Sequence, residues 1–127
     1  MTLVLTQNKK RKVSLEIKRV PISLNKWHAM FWADKMRAKE PWVSELRILW
    51  IQDGKPRLKP PVTVNVTYHF KDSKKRDYDN YTPKFILDGL KDAYLEDDNA
   101  NEWITQLNLK MLFSQPQEKT AIEILET

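Results

Sequence analysis

The chain is expected to fold as α+β, with a small mixed or antiparallel sheet and about three helices. Apolar and polar residues alternate over 62–70, apolar residues recur at helical spacing within 23–51 and after Thr82, and the alternation returns near Leu107 and Ile122. With 127 residues, 41% of them hydrophobic, the chain has the size and apolar content for one core, so a single domain over 1–127 is expected.

Val13, Leu15 and Ile17 alternate with Ser14, Glu16 and Lys18, the pattern of a half-buried strand, and the short apolar segment Leu3-Val4-Leu5 is a candidate strand before it. Pro21 closes this region. Between about Ser23 and Ile51, Trp27, Met30 and Phe31, then Leu46, Leu49 and Trp50, fall at helical spacing. Pro41 lacks a backbone donor and restricts Glu40, so it is expected to split or kink this stretch into two helices. Asp53-Gly54 and the prolines at 56, 60 and 61 mark a turn. Val62, Val64, Val66, Tyr68 and Phe70, separated by Thr63, Asn65, Thr67 and His69, form the clearest strand. Thr82-Pro83 predicts a helix start, the hydroxyl as cap and the proline at the first helical position, with Ile86, Leu90 and Ala93/Tyr94 as its buried stripe. Strands at Leu107-Leu109-Met111 and Ile122-Ile124 complete the order strand, two helices, strand, helix, strand, strand.

Two glycines and 31% charged residues exclude a collagen-like or low-complexity polymer, and the aromatic and aliphatic content excludes a disordered chain. The lack of cysteine removes disulfides, thiolate zinc sites and thiol nucleophiles, and fits a reducing compartment. No apolar run approaches a membrane span, and MTLVLTQNKKRK lacks the order of a secretory signal, so a soluble cytoplasmic protein is expected. A net charge of +5 favours an anionic partner, and nucleic acid fits better than a membrane because no basic amphipathic helix is present.

Residues 74–98 carry the chemistry. Seven of the 17 acidic residues lie there, with the pairs Asp77/Asp79 and Asp97/Asp98 flanking the third predicted helix behind the basic run Lys74-Lys75-Arg76. Carboxylate oxygens hold hard divalent cations while Lys and Arg hold phosphate, so the juxtaposition suits a metal-dependent nuclease. Spaced D-x-D, Asp77 and Asp79 can reach one cation, and Asn80 can add a carbonyl oxygen. A helix of ten to twelve residues separates the two pairs by roughly 15 to 18 Å, so they share a metal only if the chain between Ala93 and Asp97 folds back or a second subunit supplies one pair. The competing reading is a solvated acidic surface near turns. A calcium-binding loop matches Asp77, Asp79 and Asp88 at its first, third and twelfth positions but fails at Tyr81, Thr82 and Pro83.

The ordered run Asp77-Tyr78-Asp79-Asn80, Lys84, Asp88-Gly89-Leu90 and Asp97-Asp98 resembles the D-x-D-N…K…D-x-L…D-D signature of RusA-type Holliday junction resolvases, metal-dependent endonucleases of bacteria and their phages. Upstream, Pro21, Ser23, Leu24 and Asn25 are similar to that family's N-terminal proline-serine-asparagine segment. The resemblance implies a small α+β subunit that forms a homodimer and acts on branched DNA in recombination and repair. It also implies that Asp77, Asp79 and Asp98 are the metal-binding catalytic aspartates, Asp97 a neighbouring acid that joins the metal site, and Lys84 a basic residue important to cleavage. The chain has one more residue between Asn80 and Lys84 than the usual signature; the lysine's assignment depends on where it is accommodated, and Pro83 can absorb it.

The chemistry implied is Mg²⁺-dependent hydrolysis of a phosphodiester, with Mn²⁺ an alternative ion, leaving a 5′ phosphate and a 3′ hydroxyl. Lys84 either holds the scissile phosphate or makes an i,i+4 ion pair with Asp88, whose own role is support of Lys84 or of the fold. Lys74, Lys75 and Arg76 are the expected DNA contacts, with Lys9, Lys10, Arg11 and Lys12 a second, weaker candidate. Trp27, Trp42 and Trp50 fit core or dimer contacts, Trp32 or Trp103 an exposed surface, and a wedge stacking on a junction base is the less favoured reading for them. His28 and His69 are isolated and more simply structural. Two other classes stay open: a non-catalytic basic DNA-binding protein, which has no use for the acids, and a phage scaffold or interaction protein that docks through the Trp-rich helices.

Overall fold

The computed structural model describes residues 2–5 and 10–127. Five strands form one sheet: β1 (Thr2–Leu5), β2 (Arg11–Ile17), β3 (Val62–His69), β4 (Ile104–Leu112) and β5 (Lys119–Glu126), in the spatial order β1-β2-β5-β3-β4. The helices are α1 (Leu24–His28), α2 (Trp32–Gln52) and α3 (Lys84–Asp92), and a 3₁₀ turn spans Tyr78–Asn80. The sheet is mixed. β3 and β4 are parallel, and the other three pairings are antiparallel. A parallel pair needs a crossover, and the segment carrying the acidic turn and α3 is that crossover.

β3 follows the expected alternation: Val62, Val64, Val66 and Tyr68 are buried while Thr63, Asn65, Thr67 and His69 are half-buried. Its buried face meets Val13, Leu15 and Ile17 of β2 and Ile122 and Ile124 of β5 in one core, closed by Trp42 and Leu46 of α2 and by Phe85, Ile86 and Leu90 of α3. The register pairs Val13 with Ile124 and Val66 with Ile122, so apolar residues sit side by side on the helix-covered face.

Three expectations are corrected. Pro41 does not split the stretch into two helices; it lies inside the 21-residue α2. A proline there forfeits the bond to the Arg37 carbonyl, at a cost on the order of 3 kcal/mol. Burial of Trp42 and Leu46 on the following turn holds the helix to the sheet regardless. The break falls earlier, at residues 29–31, where the Trp27 indole reaches across the corner and donates from Nε1 to the Lys35 carbonyl at 3.1 Å. Phe31, read at helical spacing with Trp27 and Met30, falls in that break and is 86% exposed. Lastly, the Thr82 side chain does not cap α3; Pro83 occupies the cap position and its carbonyl accepts from Leu87 N at 2.9 Å.

Candidate active site

The acidic turn is fixed by its neighbours. Arg76 inserts its guanidinium between the Asp72 carboxylate, at 2.7 and 3.2 Å, and the face of Phe70, 3.9 Å from the ring centroid, with Tyr81 and Phe113 around it. That contact holds the Asp72 carboxyl down at about 2, chiefly through the Arg76 hydrogen bond and then through the Lys74 backbone N–H. Arg76, expected as a DNA contact, is engaged inside the loop by Asp72 and Phe70, with 12% of its side chain exposed. Lys74 and Lys75 stay exposed beside it. The second fastening is Asn80, whose Oδ1 accepts from Asn25 N at 2.8 Å. Asn80 is thereby tied to Asn25, and the 23–25 segment gains a role as the strut behind the turn.

After α3 the chain does fold back. Tyr94 and Leu95 are fully buried, the Tyr94 carbonyl accepts from Leu58 N at 3.1 Å and the Leu95 carbonyl from the Arg57 guanidinium at 3.0 Å. The return brings Asp98 into the groove that Asp79 lines, a space of about 660 Å³ shared with Lys84 and Asp88. The two acid pairs thus contribute one member each to a single groove on one chain. Asp77 and Asp97 are not among the residues lining it. Asp97 instead shapes the turn: its carboxylate accepts from Asp98 N at 2.7 Å and from the Asn99 amide at 3.1 Å, and those bonds hold its carboxyl below the usual range.

Lys84 lies 4.0 Å from the Asp88 carboxylate, but Asp88 has a closer partner in Lys39 of α2, at 3.1 Å. The Lys84 ammonium also lies 5.8 Å from the centre of the Trp27 ring. No spacing in the sequence couples Lys39 to Asp88, because the contact depends on how α2 crosses α3. The groove's apolar wall was likewise missed: Tyr78, Leu87, Leu107 and Leu109 line it, although Leu107 and Leu109 read as an ordinary buried strand face. β4 is at the sheet edge among the described residues, so helices cover its leucines only in part.

The second basic run does not form a free patch. Arg11 bonds to Glu126 through its backbone and guanidinium nitrogens, Lys12 pairs with Glu123 at 2.9 Å, and Lys9 lies outside the described residues. His69 bonds through Nδ1 to Gln115 at 3.2 Å, a structural contact, and His28 is exposed against Trp27. Trp42 is buried, Trp27, Trp50 and Trp103 are half-buried on the core, and Trp32 is 77% exposed.

Among the described residues no three Asp, Glu, His or Cys side chains already converge as an ion cage. The donor chemistry still fits a hard divalent cation, which is commonly held by one or two carboxylates together with substrate phosphate. Asp79 and Asp98 supply two such carboxylates in the groove, and the Asp77 and Asp79 carboxylates make no hydrogen bond or ion pair with other described residues.

A basic chain whose parallel strand crossover gathers aspartates from both ends of one helix, with a lysine between them, has the build of an enzyme that cuts phosphodiesters. The endodeoxyribonuclease RusA family model matches residues 7–125, and the chain belongs to that family, a family of DNA-cutting nucleases. No curated protein matches the chain. No helix among the described residues is long and apolar enough to cross a membrane.

Proposed function

We propose that the protein is a divalent-metal-dependent endonuclease that resolves four-way DNA junctions by paired cuts, acting as a homodimer. The observation that carries this reading is the meeting of Asp79, Asp98 and Lys84 in one groove, in a member of a DNA-cutting family. Asp79 and Asp98, with Asp77 on the same turn, would hold Mg²⁺ or Mn²⁺. The bound ion supplies a lowered pKa for the attacking water and neutralises charge that builds on the phosphate oxygens.

The remaining steps belong to the chain's own groups. Lys84, as an ammonium at the groove wall, attracts the scissile phosphate and stabilises developing negative charge as a point charge. The Lys39–Asp88 pair braces the face of α3 from which Lys84 projects. Arg76 and Asn80 hold the acidic turn at both ends, so the backbone that carries Asp77 and Asp79 is fixed before substrate arrives. Lys74 and Lys75 extend the cationic surface along the DNA backbone. A junction has approximate two-fold symmetry, and two symmetric cuts leave no flaps, so a two-fold dimer matches the substrate.

Cleavage of a synthetic four-way junction and a matched linear duplex in Mg²⁺, by wild type and Asp79→Asn, tests the reading. The expected result is symmetric nicking of the junction that Asp79→Asn abolishes while keeping or tightening binding, since it removes negative charge near phosphate. Binding without cutting by wild type in both Mg²⁺ and Mn²⁺ would instead support a non-catalytic DNA-binding protein.

A further inference from the structure

The carboxylates and Lys84 account for only part of the groove. Its other wall is apolar: Leu87 from α3, Leu107 and Leu109 from β4, and the ring of Tyr78. Leu107 is 41% exposed and Tyr78 55% exposed, so this wall presents carbon to solvent inside a concave site. Phosphodiester chemistry has no use for such a surface, and apolar area kept open in a cleft marks a ligand subsite.

We infer that this wall is a nucleobase subsite, holding the base of a nucleotide next to the cut phosphate. Tyr78 lines the same groove as Asp79 and Lys84, so a phosphate drawn to the Lys84 ammonium there places an attached nucleoside within reach of the ring. The base is the flat apolar part of DNA, and aromatic and aliphatic side chains are the surfaces on which it stacks, without regard to sequence. The cations nearby draw in a polyanion and disfavour a cationic peptide as occupant. In a continuous duplex every base is stacked between neighbours. The subsite therefore fills only where a nucleotide leaves the stack at low cost, as at a branch point, and that requirement selects branched over linear DNA.

This inference rests on the nuclease reading, and the test keeps the two separable. Junctions carry an abasic residue on one or the other side of the cut phosphate. Single-turnover cleavage in Mg²⁺ and junction affinity in Ca²⁺ are compared for wild type, Tyr78→Ala and Leu107→Ser. The expected result is that base removal on one side slows wild type about tenfold, the scale of one base–aromatic contact. Each variant should lose a similar factor on the intact junction and show no added loss on the abasic one. Tyr78 is exposed, so Tyr78→Ala stays folded even if Leu107→Ser does not. Independent, multiplying losses overturn the subsite, as does a wild type indifferent to base removal on both sides. A Leu107→Ser variant that loses sedimentation mass and keeps full sensitivity to the base also overturns it, by assigning the wall to a protein interface. If wild type cuts nothing, the nuclease reading fails and the affinities alone decide the subsite by the same comparison.

Discussion

Gly89 of α3 packs directly against Leu46 of α2, and adding one methyl group there sets two opposing effects against each other. An alanine Cβ would lie 2.5 Å from Leu46 Cδ1 and 3.5 Å from its Cβ and Cγ. In an open helix, glycine to alanine gains about 1 kcal/mol of propensity. Here Leu46 is fully buried, flanked by the packed core, and cannot swing its methyl into solvent. Overpacking of that kind costs about 1 to 3 kcal/mol. The difference leaves Gly89→Ala destabilised by about 1 kcal/mol, a fall in Tm of about 4 °C for a chain of this size. Urea unfolding followed by tryptophan fluorescence measures it, and a double-mutant cycle tests its cause. Leu46→Ala alone should cost about 2 to 5 kcal/mol through its cavity. In the Gly89→Ala background the new methyl occupies part of that space, so the pair should cost less than the sum by at least about 0.5 kcal/mol. A Gly89→Ala protein more stable than wild type, with additive double-mutant energies, would refute the close-packing argument.

Neutralising Lys74 and Lys75 together should flatten the salt dependence of junction binding by about 0.9 for each phosphate that the lysines had neutralised, whereas Arg76→Met should leave that slope unchanged. Binding titrations across salt concentrations read both, and a flattened slope for Arg76→Met would show that its guanidinium reaches DNA. The same Arg76→Met variant should lose part of the acid dependence of stability. Asp72 is held at about 2 against an ordinary 3.8, so the unfolded chain binds the extra proton. Its contribution is complete above about pH 4 and fades as pH falls through 2; unfolding curves of wild type and variant should converge over that window. Tyr68 buries its hydroxyl with no hydrogen-bond partner among the described residues, and burial pushes its pKa up. Tyr68→Phe should therefore be neutral or stabilising by up to about 1 kcal/mol in urea unfolding, and a loss above that would reveal a partner for the hydroxyl.

The sequence by itself determined those features whose cause is local. Alternation at period two wrote β2, β3 and β5, because a strand with one covered face must place its apolar residues at every second position. The ordered spacing of Asp77, Asp79, Asn80, Lys84 and Asp98 carried the family, since an ordered set of residue types survives without knowledge of the fold. Tertiary structure decided what depends on neighbours distant in sequence. Pro41 stays inside α2 because Trp42 and Leu46 are buried, a fact that no local rule contains. Arg76 and Lys75 are adjacent basic residues, yet one is locked against Asp72 and Phe70 while the other is exposed. Asp98 meets Asp79 in one groove because Tyr94 and Leu95 bury and turn the chain back, and Leu107 lines that groove because β4 lies at the sheet edge. Burial and long-range pairing are properties of the assembled core, so they give identical residue types different roles.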